Sequence, residues 1–289
     1  MTAHPRLSVN QATTKNWTLE QAVRGCAAAG VTGIGLWRDR VAEVGAGRAA
    51  AMAADAGLTV TSLCRGGFFT APTAGGRKEA IEENRRAIDE AAALGPTELV
   101  LVVGGLPDGS RDLAGARAMV TEALSDLVPY ARAAGVRLAL EPMHPMFCAD
   151  RGVLSTLGQA VDMAAQFAPD EVGVCVDTYH VWWDPGLPAQ LARCADRLAL
   201  FQVADWVVPL APDVLLSRGH LGDGCADIAG LSSAFHQHGY DGWVEVEIFR
   251  REIWEAPGEV TLARVISSFD RLVAPTVPAA PPVPRRAGR

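Results

Sequence analysis

Residues 172–185 read VGVCVDTYHVWWDP, an apolar run from Val172 to Val176 that ends in Asp177, with His180 three residues further on. A short, valine-rich run without polar alternation fits a strand buried on both faces, the pattern of a parallel sheet. A carboxylate and an imidazole leaving the C-terminal end of such a strand suggest a metal site. Two more apolar runs carry acids: VRLALEP ends in Glu141, and GWVEVEIF carries Glu247, with Glu245 two residues earlier on the same strand face. Burying a carboxylate is costly unless something positive pairs with it. Acids near the ends of three strands therefore point to one shared cation. The alternative is separate ion pairs with Arg137, Arg218 or Arg250.

Working outward, short apolar runs alternate with amphipathic segments along the whole chain. Strands are expected at 7–10, 33–37, 59–64, 98–103, 137–141, 173–177, 199–203 and 243–248. Helical patterns separate them. In the first, Thr18 and Gln21 have capping-box spacing. Leu19, Ala22, Val23, Cys26 and Ala27 share one face, and Gly30 supplies a stop. The pattern at 113–135 contains Pro129, which predicts a kink or break. Eight strand–helix units predict an α/β fold, a single (β/α)8 barrel over residues 1–273. A doubly wound open sheet is the alternative, but no G-x-G-x-x-G follows the first strand. Residues 274–289, rich in proline and alanine and basic at the end, are expected to be a disordered tail.

A net charge of −7 argues against a nucleic-acid or anionic-membrane surface. No apolar run approaches the ~20 residues of a membrane span, and the N-terminus lacks a signal-peptide core. None of the six cysteines forms a C-x-x-C pair. They are expected to be buried thiols of a cytoplasmic protein.

In a parallel barrel the active site lies at the C-terminal ends of the strands. Glu141, Asp177 and Glu247 all fall there, and Gln202, in LFQVADW on the seventh strand, is the natural fourth ligand. Such a set suits one divalent metal ion, Mn²⁺, Mg²⁺ or Co²⁺, better than a thiolate-loving ion. Trp37 ends the second strand and Trp183 follows DTYH, and both offer flat faces on which a ring-shaped ligand could stack.

The motifs EPMHP, DTYH, RGHLGDG and GYDGWVEVEIF occur in order, on successive strand–helix units. With them the chain resembles the xylose-isomerase-like barrels. The likeness is to the sugar phosphate isomerase/epimerase branch, which includes tagatose/psicose epimerases, hydroxypyruvate isomerase and inosose dehydratases and isomerases. The resemblance implies Glu141, Asp177 and Glu247 as metal ligands, with Glu245 the alternative to Glu247. It implies His180 and Arg218 as substrate contacts. Where the family usually carries a strand-seven histidine ligand, this chain has Gln202. Where the epimerases carry a second glutamate after strand five, it has Phe147, so His144, Asp150 or Arg151 would supply that loop's polar contacts. His220 is a further candidate for the missing histidine.

The implied activity is isomerisation or epimerisation of a small sugar or cyclitol ketone, by proton transfer through a metal-stabilised enediolate. Glu141 and Glu247 would be acid and base. A lyase or dehydratase using the same site, and a non-catalytic ligand-binding barrel, are the alternatives. The endonuclease-like branch uses a histidine-rich metal cluster, which six histidines with few at strand ends do not supply. No Gly-rich phosphate loop is visible, so an unphosphorylated substrate is expected. The family also implies possible homo-oligomers.

Overall fold

The computed structural model describes residues 3–95, 98–280 and 282. Eight parallel strands close into one barrel in sequence order. They are β1 (Leu7–Asn10), β2 (Gly33–Trp37), β3 (Thr59–Gly67), β4 (Glu98–Val102), β5 (Arg137–Leu140), β6 (Val172–Asp177), β7 (Leu198–Val203) and β8 (Val244–Val246). β8 pairs with β1 through Leu7↔Val244 and Val9↔Val246, which closes the ring. The closed ring rules out the doubly wound open sheet.

The period of two along each strand sorts the side chains. Leu138 and Leu140, Val172, Val174 and Val176, and Val244 and Val246 join the core between barrel and helices. The alternate residues turn inward. Ala139 and Cys175 join Cys64, Val100, Ala199 and Leu200 in a separate, smaller apolar cluster. This is why two of the candidate acids follow an inward small residue by two positions, Ala139 then Glu141 and Cys175 then Asp177, whereas Glu247 follows the inward Glu245.

Part of the barrel interior is polar. Glu245 is fully buried and accepts hydrogen bonds from Asn10 (2.8 Å), Thr61 (2.6 Å), Ser62 (2.8 Å) and the Gln202 amide (2.9 Å). Gly35 makes the room: a Cβ there would stand 2.5 Å from the Glu245 carboxylate. Ser8 bonds Thr61 at 2.8 Å and extends the network.

The first helix, Leu19–Ala28, has the expected Thr18–Gln21 capping box, and Gly30 leaves it at φ +75°. The helix Leu113–Ala134 runs without a break past Pro129. Its buried face, from Ala116 to Ala131, holds it against the sheet on both sides of the proline, so packing outweighs the one lost backbone bond. β3 runs three residues beyond the expected Cys64, because its pairing with β4 resumes at Gly66 and Gly67 after an irregularity. β8 is shorter than expected. Of the cysteines, Cys26, Cys64, Cys175 and Cys194 are buried, but Cys148 is half-buried and Cys225 exposed, correcting the expectation that all are buried. Of the expected tail, Ala274–Thr276 form a 3-10 turn and the Ala280 carbonyl accepts from Arg6 Nε at 3.0 Å. Residues 281 and 283–289 lie outside the described residues. No helix among the described residues is long and apolar enough to cross a membrane.

Glu245→Ala would strand four buried donors at once. Each buried unsatisfied group costs about 1–3 kcal/mol, so urea unfolding should show a loss of about 3 kcal/mol or more. A loss below ~1 kcal/mol would mean that the network is dispensable to the barrel.

Candidate active site

The chain after β7 builds one feature that local sequence patterns did not reveal. Asp205–Trp206 and Arg218–Gly219 pair as a short antiparallel ribbon. The buried Asp205 carboxylate accepts backbone N–H bonds from Gly222 (2.8 Å) and Ala226 (3.0 Å). These bonds pin the RGHLGDG turn and deliver Arg218 over the C-terminal mouth of the barrel.

Arg218 is almost wholly buried. Its Nη1 donates to Asp177 Oδ2 at 2.5 Å and to the Glu247 carbonyl at 3.1 Å, and lies 3.3 Å from Glu247 Oε2. Its Nη2 is 3.3 Å from His180 Nε2, and its Nε is buried without a partner. The guanidinium lies over the rings of Tyr179 (4.7 Å) and Phe249 (5.0 Å), a cation–π seat. Of the ion pairs weighed above, the Arg218 one exists, and it links two acids. Among the described residues no arginine lies within ion-pair distance of Glu141, and its nearest titratable partner is His180, at 3.7 Å.

One guanidinium cannot neutralise three buried carboxyls, and the proton affinities respond. Burial, then the Asp177 charge, pushes Glu141 up to about 8. Burial likewise raises Glu247 well above the usual carboxylate range, against the pull of Arg218. His180 is held well below its ordinary value by burial and by Arg218, so it is neutral. Its Nδ1 accepts the His144 backbone N–H at 3.3 Å, which leaves the ring proton on Nε2, facing Glu141.

Glu141, Asp177 and His180 offer donor atoms within 4.8 Å of one another. The His180 tautomer makes its ring a hydrogen-bond donor, so the carboxylates are the better ligands. Glu141 and Asp177 supply oxygen donors suited to a hard divalent cation, whereas Glu247 lines the same cavity without belonging to that group. Gln202 stands apart from that set: its Nε2 donates to Glu245, and its Oε1 accepts from the Cys175 thiol at 3.3 Å. Glu245 is likewise occupied, by the interior network.

A cavity at the mouth is lined by Glu141, His180, Arg218, Glu247, Trp37, Phe249, Cys64, Arg65 and Arg151, among others. A family match spans residues 23–270.

The chain belongs to the xylose isomerase-like TIM barrel family.

Among its relatives is an inosose isomerase of Bacillus velezensis, 26% identical over 216 residues, covering 72% of this chain and 73% of the relative. The solved structure of protein SMc04130 from Sinorhizobium meliloti 1021 is 45% identical, with TM-score 0.89, over 92% of this chain and 98% of that one. The IOLI protein with a binding zinc atom shares the fold at 20% identity and TM-score 0.82, over 94% and 99% of the two chains. D-psicose 3-epimerase with D-tagatose from Clostridium cellulolyticum H10 does so at 16% identity and TM-score 0.76, over 93% and 99%.

Within this member of the family, Trp37 lies on the cavity wall and its indole N–H donates to Asn10 Oδ1 at 2.8 Å. Asn10 in turn donates to Glu245, so the wall is braced by the interior network. Trp183 and His144 are not among the lining residues. Trp183 donates to the His180 carbonyl at 2.8 Å and meets His144 edge-on. The His144 ring packs on Trp206, 4.8 Å between centroids. His144 therefore reaches the site through its main chain, by the bond to His180. His220 is buried with Nδ1 unpartnered and is not on the cavity wall. Cys64, Arg65, Arg151 and Phe249 are wall residues that strand patterning alone could not single out. Only Arg151 stood out, by its place in the loop after β5.

The raised Glu141 gives a pH signature. Between about pH 4.5 and about pH 8 the folded chain keeps a proton that the unfolded chain releases. That contribution to stability is therefore complete below the lower value and is lost as pH rises through the upper one. Chelator-treated protein should show a falling melting temperature across this window, and Glu141→Gln should flatten the fall. An unchanged slope in Glu141→Gln would mean that Glu141 is ionised at neutral pH.

Proposed function

We propose that the chain is an isomerase or epimerase of a small sugar or cyclitol ketone, working by proton transfer next to the carbonyl. The observation that carries this reading is the pair Glu141 and Glu247. Both face one cavity, and both hold their protons far more tightly than ordinary carboxyls. A carboxyl raised towards neutrality is suited to give and take a proton at physiological pH.

In this reading one glutamate removes the proton on the carbon beside the carbonyl, and the other, or the same one, returns it. His180, neutral with its proton on Nε2, donates a hydrogen bond to the substrate oxygen that gains charge. Arg218 fixes a second oxygen while keeping Asp177 and the Glu247 main chain in place. Phe249 and Trp37 supply apolar wall to the cavity, and a bound substrate that displaced water against them would strengthen each of these interactions. What a divalent cation held by Glu141 and Asp177 would supply is Lewis-acid stabilisation of the oxygen charge. The family membership and the inosose isomerase relatives support the same reaction class.

Incubation of a ketose or an inosose with the protein and Mn²⁺ in D₂O should place deuterium on the carbon next to the carbonyl. Glu141→Gln and Glu247→Gln should each slow that exchange by about 10²–10⁴-fold, and chelation should slow it too. Turnover without any label in product or recovered substrate would overturn the proton-transfer reading in favour of a hydride shift.

A further inference from the structure

The cavity wall carries more positive charge than the acid–base chemistry uses. Arg218 is committed to Asp177 and Glu247. Arg65 and Arg151 line the same cavity. Arg65 follows Cys64 at the C-terminal part of β3 and is partly buried. Among the described residues its guanidinium makes no ion pair and no side-chain hydrogen bond. What holds it is the Phe68 ring, 4.1 Å away. Phe68 is the one non-glycine residue with positive φ (+54°) among those described. Its neighbour Gly67 (φ +106°) has no space for a side chain, since a Cβ would lie 1.9 Å from the Val102 carbonyl oxygen. A bulky residue in the left-handed region is costly and persists where the surroundings demand it. Here the turn seats an aromatic face against a guanidinium and leaves the N–H groups free.

Arg151 comes from the loop after β5, which is tied to the loop after β4 by the Gly104 N–H to Arg151 carbonyl bond of 2.8 Å. Its only acidic contact among the described residues is the exposed Asp150, at 3.5 Å, worth little in water. Arg65 and Arg151 also repel each other enough to lower the Arg65 proton affinity, an effect added to that of burial. Two like charges brought to one partly exposed wall, with neither firmly paired, lack an anion. A carboxylate or phosphate supplies it, because a guanidinium presents its donors in the plane such groups accept. Arg151 is 34% exposed, whereas Glu141 and Arg218 are buried. The anion therefore belongs in the outer part of the cavity, away from the reacting carbon.

We infer that the substrate carries an oxyanion group, a carboxylate or a phosphate ester, held by Arg65 and Arg151 while its carbonyl end lies between Glu141 and Glu247. The placement of the carbonyl rests on the function proposed above; the anion site does not. It also differs from the unphosphorylated substrate expected from the lack of a Gly-rich loop, since side chains rather than backbone N–H groups would hold the anion.

The test is calorimetric titration of inorganic phosphate and of acetate into the full chain, treated with chelator so that no metal can take the anion. Saturable binding of either anion is expected. Arg65→Gln and Arg151→Gln should weaken it by about 10–100-fold, as loss of a charge-assisted bond implies, and Arg65→Lys by less. Phosphate bound in preference to acetate identifies a phosphate ester, and the reverse identifies a sugar acid. No saturable binding of either anion would overturn the inference. So would equal binding by Arg65→Gln and the native chain, which would make Arg65 a distant counter-charge for Glu141. These titrations involve no proton exchange on carbon, so they can fail while the D₂O experiment succeeds, and the reverse.

Discussion

The structure turns on a single buried guanidinium. Arg218 lies between Asp177 and Glu247, touches His180, and is covered by Tyr179 and Phe249. Taking a charge out of water costs several kcal/mol, and Arg218 recovers this only because two carboxylates meet it. The carboxylates depend on it in turn. Burial first, and the acids' mutual repulsion with it, raises the proton affinity of Glu141 and Glu247 against the pull of Arg218. Burial and the Arg218 charge keep His180 neutral. Proton affinity at this site is thus a property of the cluster more than of any one residue.

The polar network inside the barrel follows the opposite rule. Glu245 accepts bonds from Asn10, Thr61, Ser62 and Gln202, so its demand is met within the protein. A fully satisfied buried network is rigid and specific. Through Asn10 it reaches Trp37, and through Gln202 it reaches Cys175. Two glutamates two residues apart, Glu245 on β8 and Glu247 just past its end, therefore have different fates. The inner one is satisfied and structural; the outer one faces the cavity beside Arg218.

Much of this was legible in the sequence. The valine-rich run before Asp177 and the alternation in VEVEIF announced inward acids, because a period of two is enforced wherever one face packs on helices. Thr18 and Gln21 announced a helix start through a bond that is purely local. Gln202 shows where such reading runs out. Its position on β7 is clear from pattern, but the direction of its amide is set by Glu245, a neighbour on another strand. Pro129 misled because tertiary packing outweighed a local preference. Arg65 gave no signal at all: its setting depends on Gly67 and Phe68 adopting positive φ, which composition and periodicity do not encode.

Asymmetry between the two outer glutamates carries the proposed chemistry one step further. A proton-transfer enzyme with two carboxyls works best when one is protonated and the other ionised. Two symmetric acids in water would both ionise at neutral pH. Here Glu247 has the Arg218 guanidinium at 3.3 Å, and Glu141 has a neutral imidazole at 3.7 Å with Arg218 and Arg65 acting on it from beyond ion-pair distance. Each negative charge also raises the cost of the next, since Asp177 and the partner glutamate act on both. The cluster therefore resists losing its last proton, much as two carboxyls sharing one site do. In that arrangement the ionised member can take a proton from carbon while the protonated one can return it, and the two roles can exchange between forward and reverse reactions. Such a pair suits proton transfer in either direction, and burial together with neighbouring like charge, rather than any single residue, sets its proton affinity.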